Sequence, residues 1–288
     1  MSLYAAEADT GIVFRRTDIC DVDGEIAARF DNVGDTQLCT TLINKNGVTI
    51  GTVEHLMAAL AGCEIDNAVV EINGPEVPIM DGSAEPFVFL IECAGVVEQA
   101  APRRAIEILR TVHVANGDSA ISVEPSNGFS INLGIDFAHP SIGQQNIVLD
   151  MTSATFKSQI CRARTFGFLH EVESLRTAGF GRGGSLKNAV VVSPDGVMNE
   201  EGLRFTDEFV RHKVLDCIGD LYLLGAPIQG RVRAHRNGHA LNNLLLRTLI
   251  ADRSAWRLVA LDMLGAQTTI PNRTNSIDWQ EQPIVALA

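Results

Sequence analysis

The chain has 288 residues, more than one average domain, of which 46% are hydrophobic and 20% charged, the balance of a soluble globular protein with a sizeable core. Its formal net charge of -12 argues against a general nucleic-acid binder, which needs basic surface, though not against an anionic small substrate held in a local basic pocket. Six cysteines, Cys20, Cys39, Cys63, Cys93, Cys161 and Cys217, form no CxxC pair, so reduced thiols are expected rather than disulfides or a cysteine-bound zinc. No cationic segment followed by an apolar core opens the chain, and no apolar run reaches about 18 residues. A cytoplasmic protein without an integral membrane segment is therefore expected.

In chain order, "GIVFRRTDI" has strand character, and "DNVGDTQLCTTLI" reads as a turn followed by a strand. "NKNGV" at 44–48 signals a turn between strands. "TVEHLMAALAG" at 52–62 predicts a helix, with Thr52 as N-cap and Gly62 as stop. "NAVVEING" predicts a strand, and "EPFVFLIECAG" at 85–95 a second helix. The polar, proline-containing "EQAAPRRAI" at 98–106 is the best linker. The order then recurs: strands in "AIEILRTVHVANGD", "AISVEPS" and "FSINLGIDF", helical and loop material around "CRARTFGFLHEVESLRTAG", and a strand and turn in "NAVVVSPDGV". A helix follows at 209–225, then a strand, a turn and a last helix in "GRVRAHRNGHALNNLLLRTLIAD". Two similar α+β domains are expected, 1–100 and 104–288, each a mainly antiparallel sheet with two helices, the helices packed between the sheets. The tail from about Met263 is polar and aperiodic, and mobility is expected of it.

Four groups of residues carry possible chemistry. In "FVRHKVLDCIGDLYLLG" (209–225), His212, Asp216 and Asp220 fall four apart, on one face of an otherwise apolar helix. His-x3-Asp is good metal-ligand spacing, but a buried His–Asp hydrogen bond would read the same way, so both readings stand. Glu54 and His55 in "TVEHLMAAL" set a base beside a ligand, as a zinc hydrolase needs, yet such a dipeptide is frequent by chance. His239 in "RNGHALNN" lies just past an Asn-Gly turn, where a loop histidine is usually only solvated. "CRARTFGF" and "GFGRGGSLKN" supply Arg162, Arg164, Thr165, Arg182 and Lys187 among glycines, which suits an anionic ligand without matching a P-loop or dinucleotide fingerprint.

Taken together, "DTGIVFRR", "TVEHLMAALAG", "IDNAVVEINGPEVPIMDGSAEPFVFL", "CRARTFGF", "LRFTDEFVRHKVLDCIGDL" and "NGHALNN", in this order, resemble the zinc-dependent UDP-3-O-acyl-N-acetylglucosamine deacetylases of lipid A biosynthesis. The resemblance implies a Zn2+ held by His55, His212 and Asp216 in a cleft between the two domains, with an open fourth position for water. It implies Glu54 as general base, Thr165 as a partner of the oxyanion, and His239 as the cation that stabilises developing charge or protonates the leaving amine. Asp220 would orient His239 and raise its pKa. The substrate, UDP-3-O-acyl-GlcNAc, would meet Lys213 at its anionic end and Asp136 and Phe137 at the uracil. Glu171 would contact the nucleoside, and Phe166, with Phe168 and Leu169, would line an acyl passage. A monomer is expected. Relatives in the family open with some two dozen further residues bearing a first strand and a "GLHSG"-type loop, so Met1 is expected to be an internal methionine or the gene to be truncated. Ser119 stands where the family carries a lysine for the substrate phosphates. A binding protein that kept this fold without catalysis, and a purely structural metal, are the competing readings. The intact Glu54 and His239, and three ligands rather than four, weigh against both.

Overall fold

The computed structural model describes residues 1–177, 181, 183–261 and 285–286. Arg182 and, apart from residues 285–286, the tail from Met263 lie outside them. The chain begins with β1 (Ser2–Ala5), β2 (Ile12–Arg16), β3 (Glu25–Ala27), β4 (Val33–Asp35), β5 (Thr41–Ile43), β6 (Thr49–Ile50), α1 (Glu54–Gly62), β7 (Ala68–Ile72) and α2 (Glu85–Ala94). After an exposed stretch without regular structure come β8 (Arg104–Ile108), β9 (Val112–Asn116), β10 (Ser119–Glu124), β11 (Phe129–Asp136) and β12 (Gln144–Asp150). A helical turn, α3 (Ser153–Thr155), runs into a π-helical turn (Phe156–Ile160), followed by β13 (Phe166–Phe168), α4 (Leu169–Thr177), β14 (Val190–Ser193) and β15 (Gly196–Val197). The described chain closes with α5 (Glu208–Tyr222), β16 (Ile228–His235), α6 (His239–Ala251), β17 (Trp256–Ala260) and β18 (Val285–Ala286).

The architecture is α+β. Among the described residues the strands form four sheets: one of order β18-β1-β7-β2-β3, one of order β12-β11-β16-β10-β9 with β8 paired to β16 and β17 to β8, and two small sheets of order β13-β14-β15 and β4-β5-β6. Pairing is mostly antiparallel, with parallel ladders at β2–β7, β11–β16, β8–β16 and β13–β14. Alternation sets the faces: on β16, Ile228, Gly230, Val232 and Ala234 are buried, while Arg231, Arg233 and His235 face solvent. β1 and β17 were not foreseen, because "SLYA" and "WRLVA" are too short to show a period.

Two helices, α1 and α5, are buried on nearly all sides. α1 is apolar around its whole circumference and nearly all buried, the pattern of an interior helix. It packs on α5, which in turn packs on β11, β12 and α6. The crossing of α1 and α5 depends on Gly219, where a Cβ would stand 2.0 Å from the Glu54 carbonyl oxygen. Gly62 ends α1 as expected, and a Cβ there would lie 2.0 Å from the Phe156 ring. Thr52 is not the N-cap. Val53 occupies that position without a side-chain cap, and Thr52 takes a left-handed φ of 57°, its Oγ1 donating to Glu76 Oε1 at 2.6 Å. A β-branched residue in that region is strained, and the strain is held beside the catalytically suggestive "EH" pair.

Candidate active site

The close crossing at Gly219 brings the first turn of α1 against the middle of α5. His55, His212 and Asp216 are all buried and offer ligand atoms within 4.8 Å of one another. Asp216 Oδ1 lies 3.5 Å from His55 Nε2 and 3.3 Å from His212 Nε2, with the two imidazole rings edge to face. A tetrahedral ion with arms of about 2.0–2.1 Å has ligand–ligand edges of roughly 3.3–3.4 Å, so the two edges at Asp216 Oδ1 match a small divalent cation. Asp216 Oδ1 is buried without a hydrogen-bond partner, an arrangement a cation between the two imidazoles would satisfy. His212 Nδ1 points to the Ala163 carbonyl oxygen at 3.1 Å, which turns the lone pair of Nε2 toward Asp216. Burial pushes the His212 pKa down to about 4, against the pull of Asp216, so the ring is neutral, as a ligand must be. His55 Nδ1 is buried without a partner among the described residues.

Beside this triad lies a second cluster. Glu54 Oε2 accepts the backbone N–H of Thr40 at 3.0 Å. Burial pushes the Glu54 carboxyl above the ordinary range, opposed by the charges of His239 and His55. Asp220 accepts three hydrogen bonds: from Thr40 Oγ1 at 2.5 Å, from His239 Nδ1 at 2.8 Å and from Asn242 Nδ2 at 2.8 Å. Asn237 Nδ2 braces Asn242 in turn. For His239, burial alone would lower the pKa, but the charge and hydrogen bond of Asp220 outweigh it and raise the value to about 9. The site thus pairs a buried carboxylate with a cationic imidazole, next to three residues that could hold a cation.

The model of the UDP-3-O-acyl N-acetylglycosamine deacetylase family matches residues 1–251. This chain belongs to that family. Proteins described as UDP-3-O-acyl-N-acetylglucosamine deacetylase are similar to most of it: one from Teredinibacter turnerae is 53% identical over 264 residues, covering 91% of this chain and 86% of that protein. One from Shewanella sp. (strain W3-18-1) and one from Shewanella baltica (strain OS155) are each 49% identical, with the same coverage.

Within this deacetylase-family chain, the remaining expected residues fall in three places. Thr165 follows the Ala163 carbonyl that meets His212, and its backbone N–H donates to Gly82 O at 2.7 Å. The Phe166 ring lies 6.2 Å from the His212 ring and meets Phe137 edge-on at 5.6 Å, with Phe168 5.9 Å from Phe137. Residues expected at the uracil and at the acyl passage therefore share one aromatic wall. Asp136, the neighbour of Phe137, accepts from Gln144 Nε2 at 3.2 Å. Glu171 is exposed on α4, 4.0 Å from His170. Lys213 Nζ is paired with Asp216 Oδ2 at 2.7 Å. Ser119 opens β10, opposite Asn116.

Two expectations are corrected here. Arg164 is not free for an anionic ligand: it is buried, its guanidinium bound to Glu208, Glu201 and Gly202 O, because a charge so deep needs complete pairing. His239 is not a solvated loop residue; it is the first residue of α6, and its side chain is 9% exposed. Thr40 and Asn242 were missed. Neither titrates nor binds metals, so only their positions reveal them. Among the described residues no helix is long and apolar enough to cross a membrane.

Proposed function

We propose that the protein is a Zn2+-dependent hydrolase that removes the N-acetyl group from UDP-3-O-acyl-GlcNAc in lipid A biosynthesis, working in the cytoplasm as a monomer. The observation that carries this reading is the buried, donor-free Asp216 Oδ1 between two imidazoles, immediately beside Glu54 and the His239–Asp220 pair. The names of the relatives support the same substrate.

His55, His212 and Asp216 would hold the Zn2+, which would supply Lewis acidity toward the amide carbonyl and lower the pKa of water. Glu54, raised by burial, takes the proton as the water oxygen bonds to the carbonyl carbon. Thr165, two residues from the Ala163 carbonyl at His212, is assigned to the developing oxyanion. His239, held protonated by Asp220, stabilises that charge and donates to the nitrogen as the C–N bond breaks, leaving acetate and a free amine. Lys213 keeps two N–H donors beyond the one given to Asp216 and is assigned to the anionic end of the substrate. Phe137 and Asp136 are assigned to the uracil, Glu171 to the nucleoside and Phe166 to the acyl chain. The site would lie between an N-terminal unit of residues 1–100 and a second unit from residue 104.

The test is acetate release from UDP-3-O-acyl-GlcNAc with a chelator and then with added zinc. Chelator-sensitive turnover restored by zinc is expected. Turnover indifferent to the chelator rejects the zinc mechanism, and zinc binding without turnover favours the binding-protein reading.

A further inference from the structure

Both hydrogen-bond donors of one residue, Thr40, are spent on carboxylates of the acid–base network. Its backbone N–H holds Glu54 Oε2 at 3.0 Å, 14 residues on, and its hydroxyl holds Asp220 Oδ1 at 2.5 Å, 180 residues on. Its carbonyl oxygen accepts from Val53 N at 3.3 Å, at the start of α1. Thr40 is 2% exposed, so water does not compete for these bonds. We propose that Thr40 is a positioning residue of the deacetylase, setting the carboxylates of Glu54 and Asp220 relative to each other from a single residue. The inference rests on the deacetylase reading above.

The division of oxygens makes the role specific. The N–H occupies Oε2 of Glu54, so Oε1 is the oxygen left to accept a proton. The hydroxyl occupies Oδ1 of Asp220, so Oδ2 is left to receive His239 and Asn242, each at 2.8 Å. Without the hydroxyl, a buried carboxylate oxygen would lose its donor, and the carboxylate would be free to turn toward the donors on α6, carrying His239 with it. The 2.5 Å separation is that of a charge-assisted O–H···O⁻ bond. A threonine suits the task better than a serine because its branched Cβ restricts χ1 and holds the hydroxyl on target.

The test uses the full chain loaded with zinc, in the Thr40→Val and Thr40→Ser variants. Valine keeps the shape and the N–H but removes the hydroxyl. A fall in kcat of roughly 10–100-fold, with KM and zinc content within about two-fold of wild type, is expected for valine, whereas serine should recover at least about a third of the wild-type rate. The NMR signal of the His239 Nδ1 proton should shift in the valine variant and stay close to its wild-type position in the serine variant. An unchanged kcat in Thr40→Val, equal losses in both variants with raised KM or lost zinc, or an unmoved His239 signal would overturn the proposal. If valine prevents folding, the serine variant decides alone, since a rate or signal far from wild type despite a retained hydroxyl excludes the role. A wild-type protein that releases no acetate would sink the deacetylase reading, while the His239 signal would still show whether Thr40 acts on the Asp220–His239 pair.

Discussion

Asp220 is buried, yet it accepts three hydrogen bonds and faces an imidazole whose pKa it raises to about 9. The sign of the consequence follows. Because His239 gains protons on folding, its contribution to stability is fully present below about pH 6.5 and is lost as pH rises through about 9. The alkaline limb of the rate should sit in the same region. Asp220→Asn removes the group that outweighs burial, so pH–rate profiles of this variant should show the alkaline limb at lower pH, with kcat reduced; a limb that stays near 9 would take the proton away from His239. Glu54→Gln should retain zinc and lose roughly 100–10,000-fold in kcat, measured by acetate release alongside metal analysis. The four-residue spacing of His212, Asp216 and Asp220 showed that they share one helix face but left a metal site and a buried hydrogen-bonded pair equally open, and only the family resemblance separated their roles. Thr40 was not legible, because "LCTTLI" reads as strand and nothing local says that its hydroxyl meets a carboxylate 180 residues away.

At the scale of elements, the site depends on how closely two helices approach. A Cβ on Gly219 would stand 2.0 Å from the Glu54 carbonyl oxygen and 3.1 Å from Ala58 N, both backbone atoms that cannot swing aside. Gly219→Ala should therefore separate α1 from α5, costing about 3 kcal/mol or more in denaturant unfolding and abolishing stoichiometric zinc binding even where the chain still folds. A stable, zinc-replete variant would show that the crossing tolerates more than this packing allows. The helices themselves were readable, α5 from its long apolar run with one polar stripe and α1 from its apolar stretch ending at Gly62. The glycine that sets their distance reads in sequence only as a helix-weakening residue, and the left-handed turn at Thr52 reads as a cap, since threonine favours that position locally.

For the whole molecule, a cation held by His55, His212 and Asp216 would join α1 to α5 and so link segments on either side of the irregular stretch before β8. A ligand that binds only this assembled state stabilises it by about 2.7 kcal/mol at a hundredfold excess over Kd. Chelation should accordingly lower Tm by several degrees, and His212→Ala should show a lower Tm with no further response to chelator. A Tm blind to chelator in the wild-type chain would reject the cation. The α+β class and the recurrence of sheet and helices were legible in the order of patterns along the chain, whereas the parallel ladders at β2–β7 and β11–β16 were not, because register is set by partners distant in sequence.

The separation of the ligands along the chain also sets a schedule. During synthesis Glu54 and His55 emerge first, while His212, Asp216 and His239 follow about 160 to 180 residues later. At about 5–20 residues per second that interval is roughly 10 to 40 seconds. Throughout it the nascent chain exposes one imidazole and one carboxylate on α1, too few groups to capture zinc firmly or to hydrolyse anything. On the proposed assignment the catalytic centre would be completed late, once α5 closes on α1.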